Sequence, residues 1–196
     1  MHKAHGFTLV ELMVALAIVA LLATLAAPSF SRLIASTRMS GNVNGFLADM
    51  RYARSESIRR GGGVTLCRSD APEAADPVCA DASGPGGSGG QSNPGWISGW
   101  IVFHDLDNDG AKAPAETLLR VQSPITALNA IGDSNPGPGR FRFTATGRLL
   151  RADAATTLHF GSAPLFAVDA QRTVCVNPGG RARIAGDGNA TCGASQ

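Results

Sequence analysis

Residues 7–28 read FTLVELMVALAIVALLATLAAP and follow the short, mildly basic MHKAHG of residues 1–6. The run 7–27 carries a single charge, Glu11. At about 1.5 Å of helical rise per residue it is long enough to cross the roughly 30 Å hydrocarbon core of a bilayer. Lys3, flanked by His2 and His5, precedes the run and no basic residue lies within it, which puts the N-terminus on the cytoplasmic side. A secretory signal has a shorter apolar region with a small-residue cleavage site after it. Here the break lies ahead of the run, at Gly6–Phe7, and the small residues of 23–27 keep a conventional signal as the lesser alternative.

Glu11 carries most of the information. A carboxylate on a lone membrane helix costs a few kcal/mol, so it either stays wet at the interface or awaits a partner. If cleavage leaves Phe7 as a new N-terminus, the Phe7 amine of a neighbouring subunit is a suitable cation. Opposite charges in a low dielectric would then fix the stagger between packed helices. The stretch Gly6-Phe7-Thr8-Leu9-Val10-Glu11-Leu12 resembles the type IV prepilin signature. The resemblance implies cutting after Gly6 by prepilin peptidase, methylation of the Phe7 amine, and Glu11 as the assembly residue. It also implies other pilins and an inner-membrane assembly platform as partners. Pro28 falls where many pilins carry a helix-bending proline.

Beyond Pro28, apolar residues recur at Phe30, Leu33, Ile34, Val43, Phe46, Leu47, Met50, Ala53 and Ile58. This is helical spacing with one buried face. Arg38, Asp49, Arg51, Arg54, Glu56 and Arg59 fall on the other face. Gly41 and Gly45 each weaken the helix by about 1 kcal/mol relative to Ala, and Gly61–Gly63 end it. From Val64 the pattern changes to short extended runs between turns, at 64–67, 100–103, 118–121, 141–144, 157–160 and 173–176. Residues 81–95 and 133–139 read as loops. The expectation is an α+β chain: a leader at 1–6, a transmembrane and assembly helix at 7–28, its amphipathic continuation at 29–62, and an antiparallel β-sandwich-like periplasmic head at 63–196.

Residues 51–60 (RYARSESIRR), Val64-Thr65-Leu66-Cys67, Trp96, residues 99–105 (GWIVFHD) and a Gly-Arg element near the C-terminus together look like the GspH/FimT family of minor pilins and type II secretion pseudopilins. The long Gly-rich stretch 81–95 departs from that pattern. The resemblance implies a filament subunit at or near the tip, in the inner membrane before assembly. Four cysteines in the polar part imply two disulfides and an oxidising compartment. Within the family reading, Cys67–Cys79 would close a short loop and Cys175–Cys192 would pin the tail, each worth about 3 kcal/mol. Sequence permits three pairings and does not choose among them. No C-x-x-C pair supports zinc.

The net charge of +2 is too small for a nucleic-acid coat protein, so a charged partner must be met by a local patch. In DNA-uptake minor pilins of this family a Gly-Arg-x-Arg element contacts DNA. Gly180-Arg181-Ala182-Arg183 matches that form, with Arg172 expected on the neighbouring strand. Guanidinium groups bind phosphate in a bidentate fashion without reading sequence. Solvated arginines at a strand end are the plainer reading.

Asp105, Asp107, Asp109, Gly110 and Glu116 have calcium-loop spacing, but strand-like flanks and Pro114 favour an ordinary hairpin. Trp96, Trp100 and the phenylalanines read as core. His2, His5, His104 and His159 join no nucleophile or metal motif. The expectation is a structural subunit needing no cofactor, not an enzyme.

Overall fold

The computed structural model describes residues 8–80, 95–133, 139–150 and 156–193, without the side chains of 25–29 and 32. Gly6, Phe7 and nearly all of the loops expected at 81–95 and 133–139 lie outside the described residues. One helix, α1 (Leu9–Arg60), runs through two compact units, Met1–Arg38 and Met39–Gln196.

In the first unit, Thr8 begins the helix: its Oγ1 accepts from the Glu11 amide at 3.2 Å, and its carbonyl accepts from Leu12 N. Thr8-x-x-Glu11 is the spacing of an N-terminal capping box. Every large apolar side chain from Leu9 to Leu22 is exposed, and together they occupy all sides of the helix. A helix apolar all round requires an apolar medium or other helices about it. Among the described residues no helix is long and apolar enough to cross a membrane. Of the span expected over 7–28, Phe7 and the side chains of residues 25–28 are not described. Phe30, Leu33 and Ile34 are exposed, so the buried face expected from residue 30 begins instead at Met39.

The second unit is built on residues 39–60 of α1. Met39, Val43, Phe46, Met50, Ala53 and Ser57 form its buried stripe, at the 3.6-residue period. Ile58 lies one step off that stripe and is exposed, contrary to the sequence expectation. Ser57 takes the buried place, its hydroxyl satisfied by the Arg54 carbonyl at 2.8 Å. The helix ends in a Schellman motif: Gly62 N donates to Ser57 O and Gly61 N to Ile58 O. Gly61, Gly62 and Gly63 all have positive φ.

Eight strands follow: β1 (Val64–Arg68), β2 (Trp100–His104), β3 (Leu118–Gln122), β4 (Ile131–Asp133), β5 (Arg140–Phe143), β6 (Thr156–Phe160), β7 (Arg172–Val176) and β8 (Ala182–Gly186). They form two antiparallel sheets, β3-β2-β1-β5 and β4-β6-β7-β8. The Phe46 ring lies between them, edge-on to Trp100 and Phe141 of the first sheet (centroids 5.4 and 6.3 Å) and to Phe160 of the second (5.8 Å). Trp96, in a short 3-10 turn, completes the cluster at 5.8 Å.

Asp49, expected on the solvent face, is buried. Its Oδ2 accepts the Trp100 indole N–H at 2.8 Å and its Oδ1 pairs with Arg120 Nε at 3.1 Å. Arg120 also lies over the Tyr52 ring, 5.2 Å from its centroid, which ties the edge strand β3 to the helix. The other face of the first sheet carries Cys67, Ile101 and Phe103, against which Cys79 packs. The disulfides are Cys67–Cys79 and Cys175–Cys192. Residues 69–80 are joined to the β2–β3 loop by the Asp76–Lys112 ion pair at 3.0 Å.

Removing the Phe46 ring opens a void where helix and sheets meet. Phe46→Ala should cost about 3–5 kcal/mol in urea denaturation; a loss under 1 kcal/mol would contradict this packing. Burial raises the Asp49 pKa above the ordinary 3.8, opposed by the Trp100 hydrogen bond and Arg120. Between 3.8 and that raised value the folded state holds a proton the unfolded state has lost, so this contribution to stability falls as pH rises. Asp105 is raised in the same direction, again mainly by burial. Asp49→Asn should therefore shift the change in melting temperature between pH 4 and 7 upward relative to the unaltered protein, because the destabilising ionisation of Asp49 is removed.

Candidate functional site

The turn between β7 and β8 is held by its own polar groups. Asn177 N donates to Arg181 O at 3.0 Å, Gly180 N to Asn177 O at 2.9 Å, and Arg181 N to Asn177 Oδ1 at 3.1 Å. It rests on the turn after β5: Leu149 N donates to Pro178 O at 3.0 Å. Gly180 is buried at φ +73°, and a Cβ there would collide with the Gly147 carbonyl. The glycine of the Gly-Arg-x-Arg element thus has a steric reason: only hydrogen allows the two turns to touch. Gly147 in turn approaches α1, where a Cβ would lie 3.0 Å from the Arg54 side chain.

These contacts bring Arg181 to the helix. Arg51, Arg54, Gly180, Arg181 and Ala182 line a pocket of about 350 Å³. Among the described residues no carboxylate lines it, and none of the salt bridges involves Arg51, Arg54 or Arg181. Glu56, the nearby acid on α1, is committed to Arg59 (2.6 Å) and Arg60 (2.8 Å), whose hydrogen bonds hold its pKa down to about 2.

The three arginines singled out in the sequence are not brought together. Arg183 lies on β8 opposite Cys175, outside the pocket lining. Arg172 is opposite Phe160 at the far end of β7, its Nη1 donating to the Asp169 and Gln171 carbonyls at 2.7 Å. Arg51 and Arg54 belong to the helix face that the sequence marks as solvated. Their i, i+3 spacing was visible, but nothing in the sequence connected it to residue 181.

The acidic loop is flanked by strands, as expected. One carboxylate oxygen from each of Asp105, Asp107 and Asp109 lies within 4.8 Å of the others. Glu116 does not join them: Oε1 accepts from Leu106 N at 2.7 Å and Oε2 from Ala113 N at 2.9 Å. Asp105 Oδ2 accepts from Thr65 Oγ1 at 2.7 Å and Gly110 N at 3.0 Å. Arg140 donates to the Gly110 carbonyl at 2.7 Å. The alternative calcium set is only partly assembled: Glu116 fastens the loop's own backbone, and Asp105 Oδ2 is shared between Thr65 of β1 and Gly110 N.

At the other end of the chain, Glu11 is exposed in the first turn of α1 and has no side-chain ion pair among the described residues.

A lone methylation-type helix, two antiparallel sheets and no closed barrel define the pilin class of filament subunits. Residues 1–27 match the prokaryotic N-terminal methylation motif, and residues 42–180 match the family of the type II transport protein GspH. The chain belongs to that family. Its structure is similar to the crystal structure of the type IV minor pilin FimU of Pseudomonas aeruginosa strain PAO1. The TM-score is 0.55 at 15% identity, over 81% of this chain and 96% of that one. At that identity the likeness is one of fold. None of the curated proteins matches the chain.

Gly180→Ala should separate the two turns and lower stability by about 1–3 kcal/mol, through backbone strain and the carbonyl clash. A melting temperature equal to that of the unaltered protein would remove the steric role given to Gly180.

Proposed function

We propose that this chain is a minor pilin or H-type pseudopilin that acts in filament assembly at or near the tip. Prepilin peptidase cuts between Gly6 and Phe7, the Phe7 amine is methylated, and residues 7–28 hold the subunit in the inner membrane until it is extracted into a pilus or pseudopilus. Residues 29–62 continue the helix, and 63–196 form the periplasmic head. The observation that carries this reading is the apolar collar from Leu9 to Leu22, exposed on all sides and holding one acid, Glu11, with no side-chain ion pair among the described residues. Packed against copies of the same helix, that collar is covered, and Glu11 meets a neighbouring Phe7 amine. The charge pair fixes the axial register because leaving either charge unpaired in low dielectric costs several kcal/mol.

Mature protein from membranes should begin at methylated Phe7 by N-terminal mass, and a mass matching the uncut chain would refute processing. Glu11→Ala should enter the membrane normally yet fail to join filaments sheared from cells. Normal incorporation would refute the charge-pair register.

A second reading is favoured by the arginine-lined pocket, which has no carboxylate among the described residues: capture of DNA for uptake, with Arg181 and Arg183 as the residues the family element implies and Arg172 on the neighbouring strand. Contacts of this kind neutralise few phosphates, so binding would be weak and salt-sensitive. Retention of DNA by the full chain in detergent at low salt supports it, and no retention leaves the structural role alone.

A further inference from the structure

Arg51 and Arg54 are one helical turn apart and project on the same side of α1. Arg181 reaches them from a turn that is hydrogen-bonded internally and seated on a second turn through Gly180. All three belong to the unit Met39–Gln196, so their proximity is set by one packed body. Each guanidinium is charged at any physiological pH. Three like charges held on ordered elements around a pocket of about 350 Å³, with no carboxylate in its lining among the described residues, repel one another. The nearest acids do not relieve this, since Glu56 is bound to Arg59 and Arg60, and Asp49 to Trp100 and Arg120. An oxyanion removes the repulsion and accepts the forked N–H donors, and phosphate is the group whose geometry they match.

We propose that Arg51, Arg54 and Arg181 form one oxyanion pocket that takes a phosphate group, with α1 supplying two of its three guanidinium groups, and that a nucleic-acid backbone is the source of the phosphate. The source rests on the DNA-capture reading above; the pocket itself does not. Arg172 is excluded because its guanidinium is spent on the Asp169 and Gln171 carbonyls at the other end of β7. Arg183 is outside the lining, and contributes only to the surrounding positive field. Phosphate contacts position a strand without reading its bases, so no sequence preference is expected.

The test uses the full chain in detergent micelles and two probes, a fluorescent single-stranded oligonucleotide and inorganic pyrophosphate. The variants are Arg51→Gln/Arg54→Gln, Arg181→Gln, Arg172→Gln and Arg183→Gln, each first shown by circular dichroism and melting temperature to be folded. The expected result is salt-sensitive oligonucleotide binding that weakens about 10- to 100-fold in the helix double variant and in Arg181→Gln. The slope of log affinity against log salt should fall by about one in these variants. Arg172→Gln should bind like the unaltered protein. Binding lost in Arg172→Gln or Arg183→Gln but kept in the helix double variant overturns the pocket and leaves DNA capture standing. Pyrophosphate that raises the melting temperature of the unaltered chain and not of the helix double variant, with no oligonucleotide binding, keeps the pocket and overturns its nucleic-acid source. Absence of both responses overturns the whole proposal.

Discussion

The second unit depends on one side chain meeting two sheets. Phe46 touches Trp100 and Phe141 on one side and Phe160 on the other, and the edge-on geometry of these pairs adds specificity to the apolar burial. Non-directional burial alone would allow the helix to rotate or slide. One turn further along, Asp49 prevents this by accepting the Trp100 indole N–H, a donor that would otherwise be buried unpaired. Shape at residue 46 and a hydrogen bond at residue 49 together set the rotation of α1. The direction in which Arg51 and Arg54 face follows from that rotation.

Most of this architecture could be read from the sequence because it rests on periodicity. The 3.6-residue stripe of α1 and the six β-branched or aromatic runs each announce themselves locally. The two strands not anticipated, β4 and β8, lack that local signal. Ile131-Gly132-Asp133 is only three residues long, and Ala182–Gly186 is poor in β-formers and shifts register opposite Thr173 and Val174. Both are edge strands whose extended form is imposed by a neighbour. Asp49 was assigned to the wrong face because hydropathy ranks a carboxylate as solvent-seeking, whereas its partner here is an indole 51 residues away.

The same distinction separates the two candidate sites. The calcium-like spacing of the loop after β2 was conspicuous, yet spacing does not say what a carboxylate is bonded to. Glu116 accepts two backbone amides and Asp105 a threonine hydroxyl and an amide, so the loop's acids serve its own closure. The basic site behaved in the opposite way. Arg181 was singled out, but its neighbours depend on two turns touching through Gly180 and Gly147, a tertiary fact with no sequence period. Arg172 is on the strand neighbouring β8, as expected, but the β7–β8 register puts it and Arg181 at opposite ends of the hairpin.

The strap of residues 69–80 gives the fold a chronology. β1 is buried at all five positions, and the outer side of its sheet, at Ile101 and Phe103, is covered where Cys79 is bonded back to Cys67. A thiol pair cannot hold that cover as a covalent bond does, and reducing surroundings keep thiols apart. The cover is therefore complete only once Cys67 and Cys79 are oxidised to each other. An unbonded Cys79 would leave the apolar side of that sheet, at Ile101 and Phe103, without its covalently held cover.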